Sequence, residues 1–414
     1  MFLQKIKKYV RIKLNMTKVL WKNIINTQLL TAYSCQVSEE QTKVHRTKIV
    51  QCVAICLLND ATNIIIIWLS VSLSNSLEFA IMKGVLLLLV ACCIYCKGAV
   101  VVRTNDVLNE RPIIGVLSQE QSLYLHTKFP EENYTCYIAA SYVKSVEAAG
   151  ARVVPILIGK DRSYYDELMR KINGVLLPGG ATYFNQSNGY ADAGQMIYEI
   201  AMELNDAGNY FPIFGTCLGF ELLIILASGR GEKENRNRCY SYQNDNLNFE
   251  ADYRSSKMFR GASEKVIDVL KNQNVTVNAH QFCIMDENLK AYNLTEDWRV
   301  TSYSYDENGL EFIASIEHKK YPFYGVQFHP EKISFEWKLS KNYPHSYDSL
   351  VANRHFMDFF VKECRYNYNS FSNAAEENQY LIYNYSPKFT GALGSAYHQC
   401  YLFEPRGSVA SVKK

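Results

Sequence analysis

A cysteine between two glycines, at the junction of two apolar segments, is the feature that most constrains the fold of this chain. Residues 215–219 read Gly-Thr-Cys-Leu-Gly, after the apolar run 211–214 and before the apolar stretch 220–226. This order predicts a strand, a sharp turn with Cys217 at its apex, and a helix. A nucleophile elbow needs small residues on both sides of the nucleophile, because strand and helix crowd together there. A buried cysteine beside two turn glycines would give the same pattern. In an elbow, the helix N-terminus would favour the thiolate.

A second motif supplies the partner that a cysteine nucleophile needs. Residues 324–328 have the composition of a strand, and His329-Pro330-Glu331 follows them. A thiol hydrolase needs a histidine to accept and return a proton, and a third group to orient the imidazole. His329 is the candidate base, and Glu331 can reach back to its far ring nitrogen. Alone, His-Pro-Glu is weak, since a strand-ending turn with a solvated glutamate would look the same.

A third motif offers hydrogen-bond donors for an oxyanion. Residues 176–180 read Leu-Leu-Pro-Gly-Gly at the end of another apolar run. Acyl transfer needs amide donors aimed at the oxygen on which negative charge develops. The Gly180 amide can supply one donor, and the Leu218 amide, just after the candidate nucleophile, can supply the other. By itself, Pro-Gly-Gly is more often an ordinary strand-to-helix turn.

Apolar strand-like runs alternate with helix-like runs through the body of the chain. The predicted strands are 112–117, 152–157, 172–177 and 211–214, and the predicted helices are 138–149, 164–171, 191–205 and 349–364. This alternation predicts an α/β fold, a three-layer sandwich with a mainly parallel central sheet. Active sites of such sheets lie beyond the carboxyl ends of the strands. All three motifs follow strands, so we expect them to converge.

Charge is distributed unevenly along the 414 residues. Residues 1–81 hold ten Lys and Arg against four Asp and Glu, and residues 82–98 add two lysines. Residues 99–414 hold 32 basic against 37 acidic residues, a net charge of −5. This mildly acidic body gives no reason to expect nucleic-acid binding.

The N-terminal part of the chain has the features of a secretory signal peptide. Met82 and Lys83 precede a short apolar core, and small residues follow it up to residue 98. This pattern predicts a signal peptide at 82–98, with 1–81 as a non-native or disordered extension. The alternative is a transmembrane anchor over 64–80. The first interpretation leaves no stable membrane anchor in the mature protein.

Glycosylation signals and cysteines agree with secretion. After residue 98, the Asn-x-Ser/Thr acceptor sequence occurs at Asn133, Asn185, Asn274, Asn293 and Asn384. Six cysteines follow residue 98, and none forms a Cys-x-x-Cys pair. Metal binding is therefore not indicated, and disulfide connectivity stays open.

These motifs, in this order, resemble the gamma-glutamyl hydrolase family of the class I glutamine amidotransferase-like, flavodoxin-like superfamily. The matching stretches are 111–115, 137–144, 150–155, 178–180, 215–221, 324–332, 381–383 and 399–401. The resemblance covers nearly all of 110–403 and none of 1–81. It implies a catalytic domain at 99–365 and a C-terminal tail at 366–414 that wraps the domain.

The resemblance also implies residue roles. Cys217 corresponds to the nucleophile, His329 to the proton-transfer residue and Glu331 to its orienting partner. Gly180 and Leu218 look like the donors of the oxyanion hole.

Two further residues are implied near the substrate. His280 matches a histidine that the family keeps close to the active site, although a hydrogen-bonded loop histidine would serve as well. Glu221 is expected to brace the elbow helix or to face the substrate. The chain departs from the family at Leu222, where relatives often have a second acidic residue, and at Phe328, which replaces a common tryptophan.

The implied activity is thiol hydrolysis of gamma-glutamyl amide bonds in folate polyglutamates, through an acyl-enzyme. The family implies no metal or organic cofactor, a homodimer, and an extracellular or lysosomal (vacuolar) address. Two alternatives remain. One is a glutaminase domain that feeds ammonia to a synthase, and the other is a catalytically inactive secreted binding protein on the same scaffold.

Overall fold

The chain divides into two compact units, residues 1–104 and 105–414. The structure, a computed structural model, describes residues 49–59, 63–72, 108–129, 133–231 and 236–404. In the first unit, strands β1 (Ile49–Asn59) and β2 (Asn63–Ser72) pair antiparallel. The predicted signal peptide lies outside the described residues, as does most of the predicted extension. No helix in the described part of the chain has the length and apolarity needed to cross a bilayer.

The second unit contains short strands connected by helices and loops. Its strands are β3 (Ile113–Leu117), β4 (Gln119–Glu120), β5 (Cys136–Ala139), β6 (Arg152–Ile156), β7 (Gly174–Leu177), β8 (Ile213–Thr216), β9 (Asn237–Ser241), β10 (Asn244–Asp245), β11 (Asn248–Phe249), β12 (Thr276–Val277), β13 (His280–Cys283), β14 (Trp298–Tyr305), β15 (Glu311–His318), β16 (Phe323–Val326) and β17 (Cys400–Phe403).

The helices of this unit vary from one turn to eighteen residues. They are α1 (Leu123–Lys128), α2 (Ala140–Ala148), α3 (Arg162–Met169), α4 (Tyr190–Asp206), α5 (Leu218–Ser228), α6 (Lys257–Arg260), α7 (Glu264–Asn272), α8 (Asp286–Ala291), α9 (Lys332–Phe335), α10 (Tyr347–Cys364) and α11 (Ala374–Tyr380). Short 3-10 helices lie at Tyr253–Ser255, Ile382–Asn384 and Thr390–Leu393.

Eight strands form the central sheet, in the order β11-β14-β15-β16-β8-β7-β3-β6. The five strands from β16 to β6 run parallel, and β15, β14 and β11 extend the sheet in antiparallel fashion. Every residue of β3, β7, β8 and β16 is buried, as expected for parallel strands covered on both faces.

Helices cover both faces of the sheet, which makes the three layers. On one face, side chains of α2 and α10 such as Tyr142 and Phe356 join one hydrophobic cluster. On the other face, α3, α4 and α5 contribute side chains such as Leu168, Ile197 and Leu223 to a second cluster. The predicted α/β three-layer architecture with a mainly parallel sheet is confirmed.

One predicted boundary is wrong. The sequence predicts a helix from 138, but residues up to Ala139 form β5, which pairs with β17. Helix α2 begins only at Ala140. Ile138 fits the helical spacing, yet a β-branched residue also suits a strand, and the partner strand lies more than 250 residues away in sequence.

The C-terminal segment packs on the catalytic unit. Strand β17 joins β5 and β4 in a three-stranded sheet. Glu377 forms an ion pair with Arg152, and Glu376 lies 2.6 Å from Lys171 Nζ. The stretch that leads into β17 thereby comes to lie beside the carboxyl ends of the central strands.

Candidate active site

Three neighbouring parallel strands carry the three sequence motifs. β8 lies between β7 and β16 in the sheet. Pro-Gly-Gly follows β7, Cys217 follows β8, and His-Pro-Glu begins at the third residue after β16 ends at Val326. The carboxyl ends of parallel strands meet at one edge of a sheet, so the motifs converge as the sequence predicts.

Cys217 sits at the apex of a strained turn. Its φ of 51° and ψ of −109° lie in a region that residues other than glycine rarely adopt. Its amide donates to Val326 O at 2.7 Å, and helix α5 starts at the next residue. A Cβ on Gly215 would lie 2.6 Å from the Gly219 carbonyl oxygen, and a Cβ on Gly219 would overlap the Leu177 carbonyl. Both glycines are required by close approach of backbone to backbone.

His329 and Glu331 form a buried pair. Nδ1 of His329 lies 2.8 Å from Oε1 of Glu331, and both side chains are almost completely buried. A carboxylate at Nδ1 favours the tautomer that carries its proton there, which leaves Nε2 free to accept a proton.

The imidazole of His329 and the side chain of Cys217 both approach Gly179 closely. A Cβ on Gly179 would lie 2.7 Å from His329 Cε1 and 3.1 Å from Cys217 Cβ. The side chains of His329 and Cys217 therefore flank the same point of the Gly179 backbone. No side chain larger than hydrogen fits between them.

Burial sets the charge states of the pair. Burial lowers the pKa of His329, against the opposing effect of the Glu331 carboxylate. For Glu331, burial acts to raise the pKa, but the interaction with His329 outweighs it and the pKa is below its ordinary value. A neutral imidazole beside a carboxylate is the resting state of a general base.

The cysteine differs from the expectation for a helix N-terminus. Burial raises the pKa of the Cys217 thiol, and the carboxylates of Glu221 and Glu331 raise it further. A hydrogen bond from the Leu218 amide opposes this shift but does not overcome it. Desolvation and two nearby carboxylates exceed the helix-end effect, so the unliganded site holds a thiol rather than a thiolate.

Of the two candidate oxyanion donors, one amide already has a hydrogen-bond acceptor among the described residues and the other does not. The Leu218 amide hydrogen-bonds to the Cys217 sulfur. For the Gly180 N–H, the described part of the chain provides no hydrogen-bond acceptor. Gly180 also lies against the side chain of Gln119, which a Cβ would overlap.

Glu221 belongs to a buried polar network behind the cysteine. Its Oε2 accepts from Arg236 Nη1 at 2.7 Å, and its Oε1 accepts from Gln327 Nε2 at 2.8 Å. Gln327 Nε2 also lies 3.9 Å from Cys217 Sγ. Glu221 thus braces the elbow helix against the residues that follow β16, and its connection to the cysteine passes through Gln327.

His280 lies on β13, next to the disulfide between Cys239 and Cys283. Its Nδ1 is 3.9 Å from Cys239 Sγ, and its ring packs edge-on against Phe312. Burial and the positive charge of a protonated His329 lower the pKa of His280 to about 4. Its buried Nε2 has no partner among the described residues. The structure therefore brings a neutral His280 near the base.

Sequence reasoning missed three polar side chains of this site. Tyr142 lies on α2 with its hydroxyl 3.2 Å from His329 Nδ1, and its helical spacing marked it only as core. Gln327 lies two residues before His329, within the run 324–328 that the sequence predicts as a strand. Tyr397 comes from the tail, and its hydroxyl donates to Gly179 O at 3.4 Å. Of the three, only Gln327 could have been found from the sequence, because a glutamine within an otherwise apolar run is unusual.

Among the described residues, no group of three or more His, Cys, Asp or Glu side chains could hold a metal ion. Within the described part of the second unit, residues 108–404, the cysteines outside the disulfide are Cys136, Cys217, Cys364 and Cys400, and all four are buried. Of these four cysteines, Cys217 alone lies close to a histidine that can act as a base, His329, in the described part of the chain.

Comparison with known proteins shows which family this chain resembles. The sequence model of the peptidase C26 family matches residues 112–331. Gamma-glutamyl hydrolase of Rattus norvegicus is 39% identical over 300 residues, which cover 71% of this chain and 90% of the relative. The human gamma-glutamyl hydrolase is 35% identical over 301 residues, with 71% and 90% covered. Gamma-glutamyl hydrolase 1 of Arabidopsis thaliana is 32% identical over 307 residues, with 72% and 85% covered.

Proposed function

The chain belongs to the peptidase C26 family and is a cysteine-type hydrolase. From this premise, we propose that it cleaves gamma-glutamyl amide bonds in folate polyglutamates. Cys217 is the nucleophile, His329 the general base and acid, and Glu331 the residue that orients the imidazole. The amides of Gly180 and Leu218 stabilise the oxyanion.

The proposed reaction has two halves. His329 Nε2 takes the thiol proton as Cys217 Sγ attacks the gamma-carbonyl carbon, and the carbonyl oxygen becomes an oxyanion. The intermediate collapses as His329 gives the proton to the leaving amine, and a thioester remains on Cys217. Water then attacks the thioester while His329 takes its proton, and the thiol returns with release of the gamma-carboxylate.

The observation that carries this proposal is that the side chains of His329 and Cys217 both approach one point beside Gly179, where a Cβ would lie 2.7 Å from His329 Cε1 and 3.1 Å from Cys217 Cβ. The raised pKa of the thiol makes a nearby base necessary, since little thiolate forms unaided. The lowered pKa of His329 keeps that base neutral into the mildly acidic range. His280 is proposed to contact the glutamyl portion of the substrate, and Glu221 is proposed to brace the elbow helix through its bonds to Arg236 and Gln327.

Passage through the secretory pathway to an extracellular or lysosomal destination forms part of the proposal. All five acceptor asparagines after residue 98 lie exposed on the surface. The disulfide between Cys239 and Cys283 suits an oxidising compartment. The homodimer implied by the family stays a prediction.

The direct test is release of glutamate and shortened chains from a pteroyl polyglutamate at mildly acidic pH. We expect turnover by the parent protein and none by Cys217→Ala. Cys364→Ala, which removes another buried free thiol, is the matched control and should remain active. Turnover by Cys217→Ala would refute the assignment of the nucleophile.

The same assay separates the alternatives. Hydrolysis of glutamine in place of the polyglutamate would indicate the glutaminase. A folded parent that cleaves neither substrate but binds a polyglutamate would indicate the binding protein.

A further inference from the structure

The loop that carries the candidate oxyanion donor is held by tyrosine hydroxyl groups. β7 ends at Leu177, so Pro178, Gly179 and Gly180 receive no support from the sheet ladder. Two successive glycines have wide conformational freedom, and a peptide group between them can rotate easily. An amide that must point at an oxyanion therefore needs other contacts to fix it.

The peptide group between Pro178 and Gly179 is held on both sides. Tyr190 donates to Pro178 O at 2.7 Å, and Gln119 Nε2 donates to the same oxygen at 3.1 Å. On the other side, the Gly179 amide donates to the hydroxyl oxygen of Tyr142 at 2.9 Å. Tyr142 and Tyr190 are both fully or almost fully buried.

The next peptide group, between Gly179 and Gly180, depends on Tyr397. The Tyr397 hydroxyl donates to Gly179 O at 3.4 Å, and it is the one described side chain that bonds to this peptide group. In a planar trans peptide, the N–H points opposite to the C=O. A hydroxyl that holds the Gly179 carbonyl therefore directs the Gly180 N–H the other way.

Tyr397 is itself rigidly placed. Its carbonyl accepts from Thr390 Oγ1 at 2.8 Å, and the amide of the next residue, His398, donates to Glu336 at 2.7 Å. Lys332 Nζ lies 4.3 Å from the centroid of its ring. The tail thus delivers one fixed hydroxyl group to the catalytic edge of the sheet.

We propose that Tyr142, Tyr190 and Tyr397 form a tyrosine clamp that positions the oxyanion donor, and that Tyr397 sets the direction of the Gly180 amide. This proposal rests on the proposed function, in which Gly180 supplies one of the two oxyanion donors. The three tyrosines are positioning residues, since they act through the loop and not on the substrate.

Tyr397→Phe tests the clamp with the smallest change, because it removes one hydroxyl group. The oxyanion is absent from the bound substrate and develops in the transition state that leads to the tetrahedral intermediate, so kcat should fall about tenfold while KM stays within about twofold. The pH profile should not move, since His329 and Glu331 keep their contacts. Equal kcat for Tyr397→Phe and the parent would overturn the proposal.

Tyr165→Phe is the matched control. Tyr165 is also buried, and its hydroxyl donates to the Leu157 carbonyl at 3.1 Å, away from the three motifs. Its hydroxyl oxygen also accepts from the Lys160 amide at 3.4 Å, so this variant should lose two hydrogen bonds, and it should do so without loss of kcat. If both variants lost kcat equally, the effect would be a general loss of stability, which contradicts a clamp.

A second readout needs no turnover. Selective ¹⁵N-glycine labelling gives amide signals for Gly179 and Gly180, assigned from Gly180→Ala and from paired labelling with the preceding residue. Tyr397→Phe should shift or broaden the Gly180 signal, and unchanged signals would overturn the clamp. A parent that cleaves no gamma-glutamyl substrate would refute the proposed function, and the amide signals would still decide the clamp.

Discussion

The elbow at Cys217 and the turn at His329-Pro330-Glu331 lie side by side, but different forces build them. The elbow is fixed by backbone sterics, because Gly215 and Gly219 leave room that no Cβ could share. The His-Pro-Glu turn is fixed by a polar contact, the 2.8 Å hydrogen bond from His329 to Glu331.

Because of this difference, the two regions should contribute unequally to the stability of the fold and to catalysis. Close backbone packing at the elbow contributes to stability as well as to the position of the nucleophile. The polar pair acts mainly on proton transfer, since buried polar groups gain little net free energy from pairing. Substitutions in the elbow should therefore damage fold and activity together, whereas amide substitutions in the pair that keep a hydrogen bond between the two side chains should damage activity selectively.

Gly219→Ala should have the largest effect. The added Cβ would overlap the Leu177 carbonyl, so strand β7 and helix α5 must separate. We expect a loss of roughly 3 kcal/mol or more in the free energy of unfolding, and activity at background. Urea denaturation measures the first quantity. Gly261→Ala is the control, because a Cβ there meets nothing within 4 Å. A free energy of unfolding for Gly219→Ala equal to that of the parent would refute the steric account.

His329→Gln should leave the fold but remove the base. The amide can still donate to Glu331, so the free energy of unfolding should change little. The rate should fall on the order of 10³-fold, because the raised pKa of Cys217 leaves almost no thiolate without a base. His355→Gln alters a partly buried histidine that bonds to Met258 O, and it should keep its activity. If His329→Gln lowered the free energy of unfolding as much as Gly219→Ala, the elbow and the His-Pro-Glu turn would not differ in their contribution to stability, which would contradict the account.

Glu331→Gln should have a smaller effect and a diagnostic pH dependence. The carboxylate raises the pKa of His329 against the effect of burial, which lowers it. Removal of the negative charge lowers that pKa further, so His329 stays neutral to lower pH. The acidic limb of kcat/KM should shift to lower pH, while the rate falls about 100-fold through lost orientation. A shift to higher pH would contradict the assignment of His329 as the base.

Much of this site could be predicted because its signals are local in sequence. Glycine spacing around Cys217 reports the elbow, and the two-residue spacing from His329 to Glu331 reports the pair. Parallel strands place both motifs at one edge of the sheet. The central layers could be predicted for the same reason, since continuous apolar runs mark strands buried on both faces.

The remaining features depend on contacts that no local pattern encodes. Tyr142 looks like a core residue of an amphipathic helix, yet its hydroxyl reaches His329. Tyr397 lies in a polar tail, and long-range contacts, among them the pairing of β17 with β5 and the bond from His398 to Glu336, bring it to Gly179. The raised pKa of the Cys217 thiol also has a non-local cause, because burial and two carboxylates act through space, while the sequence reveals only the helix end.

The central claim is that Cys217 carries an acyl group during turnover. Acid quenching within the first turnovers of pteroyl diglutamate, followed by peptide mass spectrometry, tests it directly. The account predicts a pteroylglutamyl adduct on the peptide that contains Cys217, with glutamate released in equal amount, and no adduct in Cys217→Ala. Steady release of glutamate in a parent protein that never carries an adduct on Cys217, or an adduct on another cysteine, would contradict it.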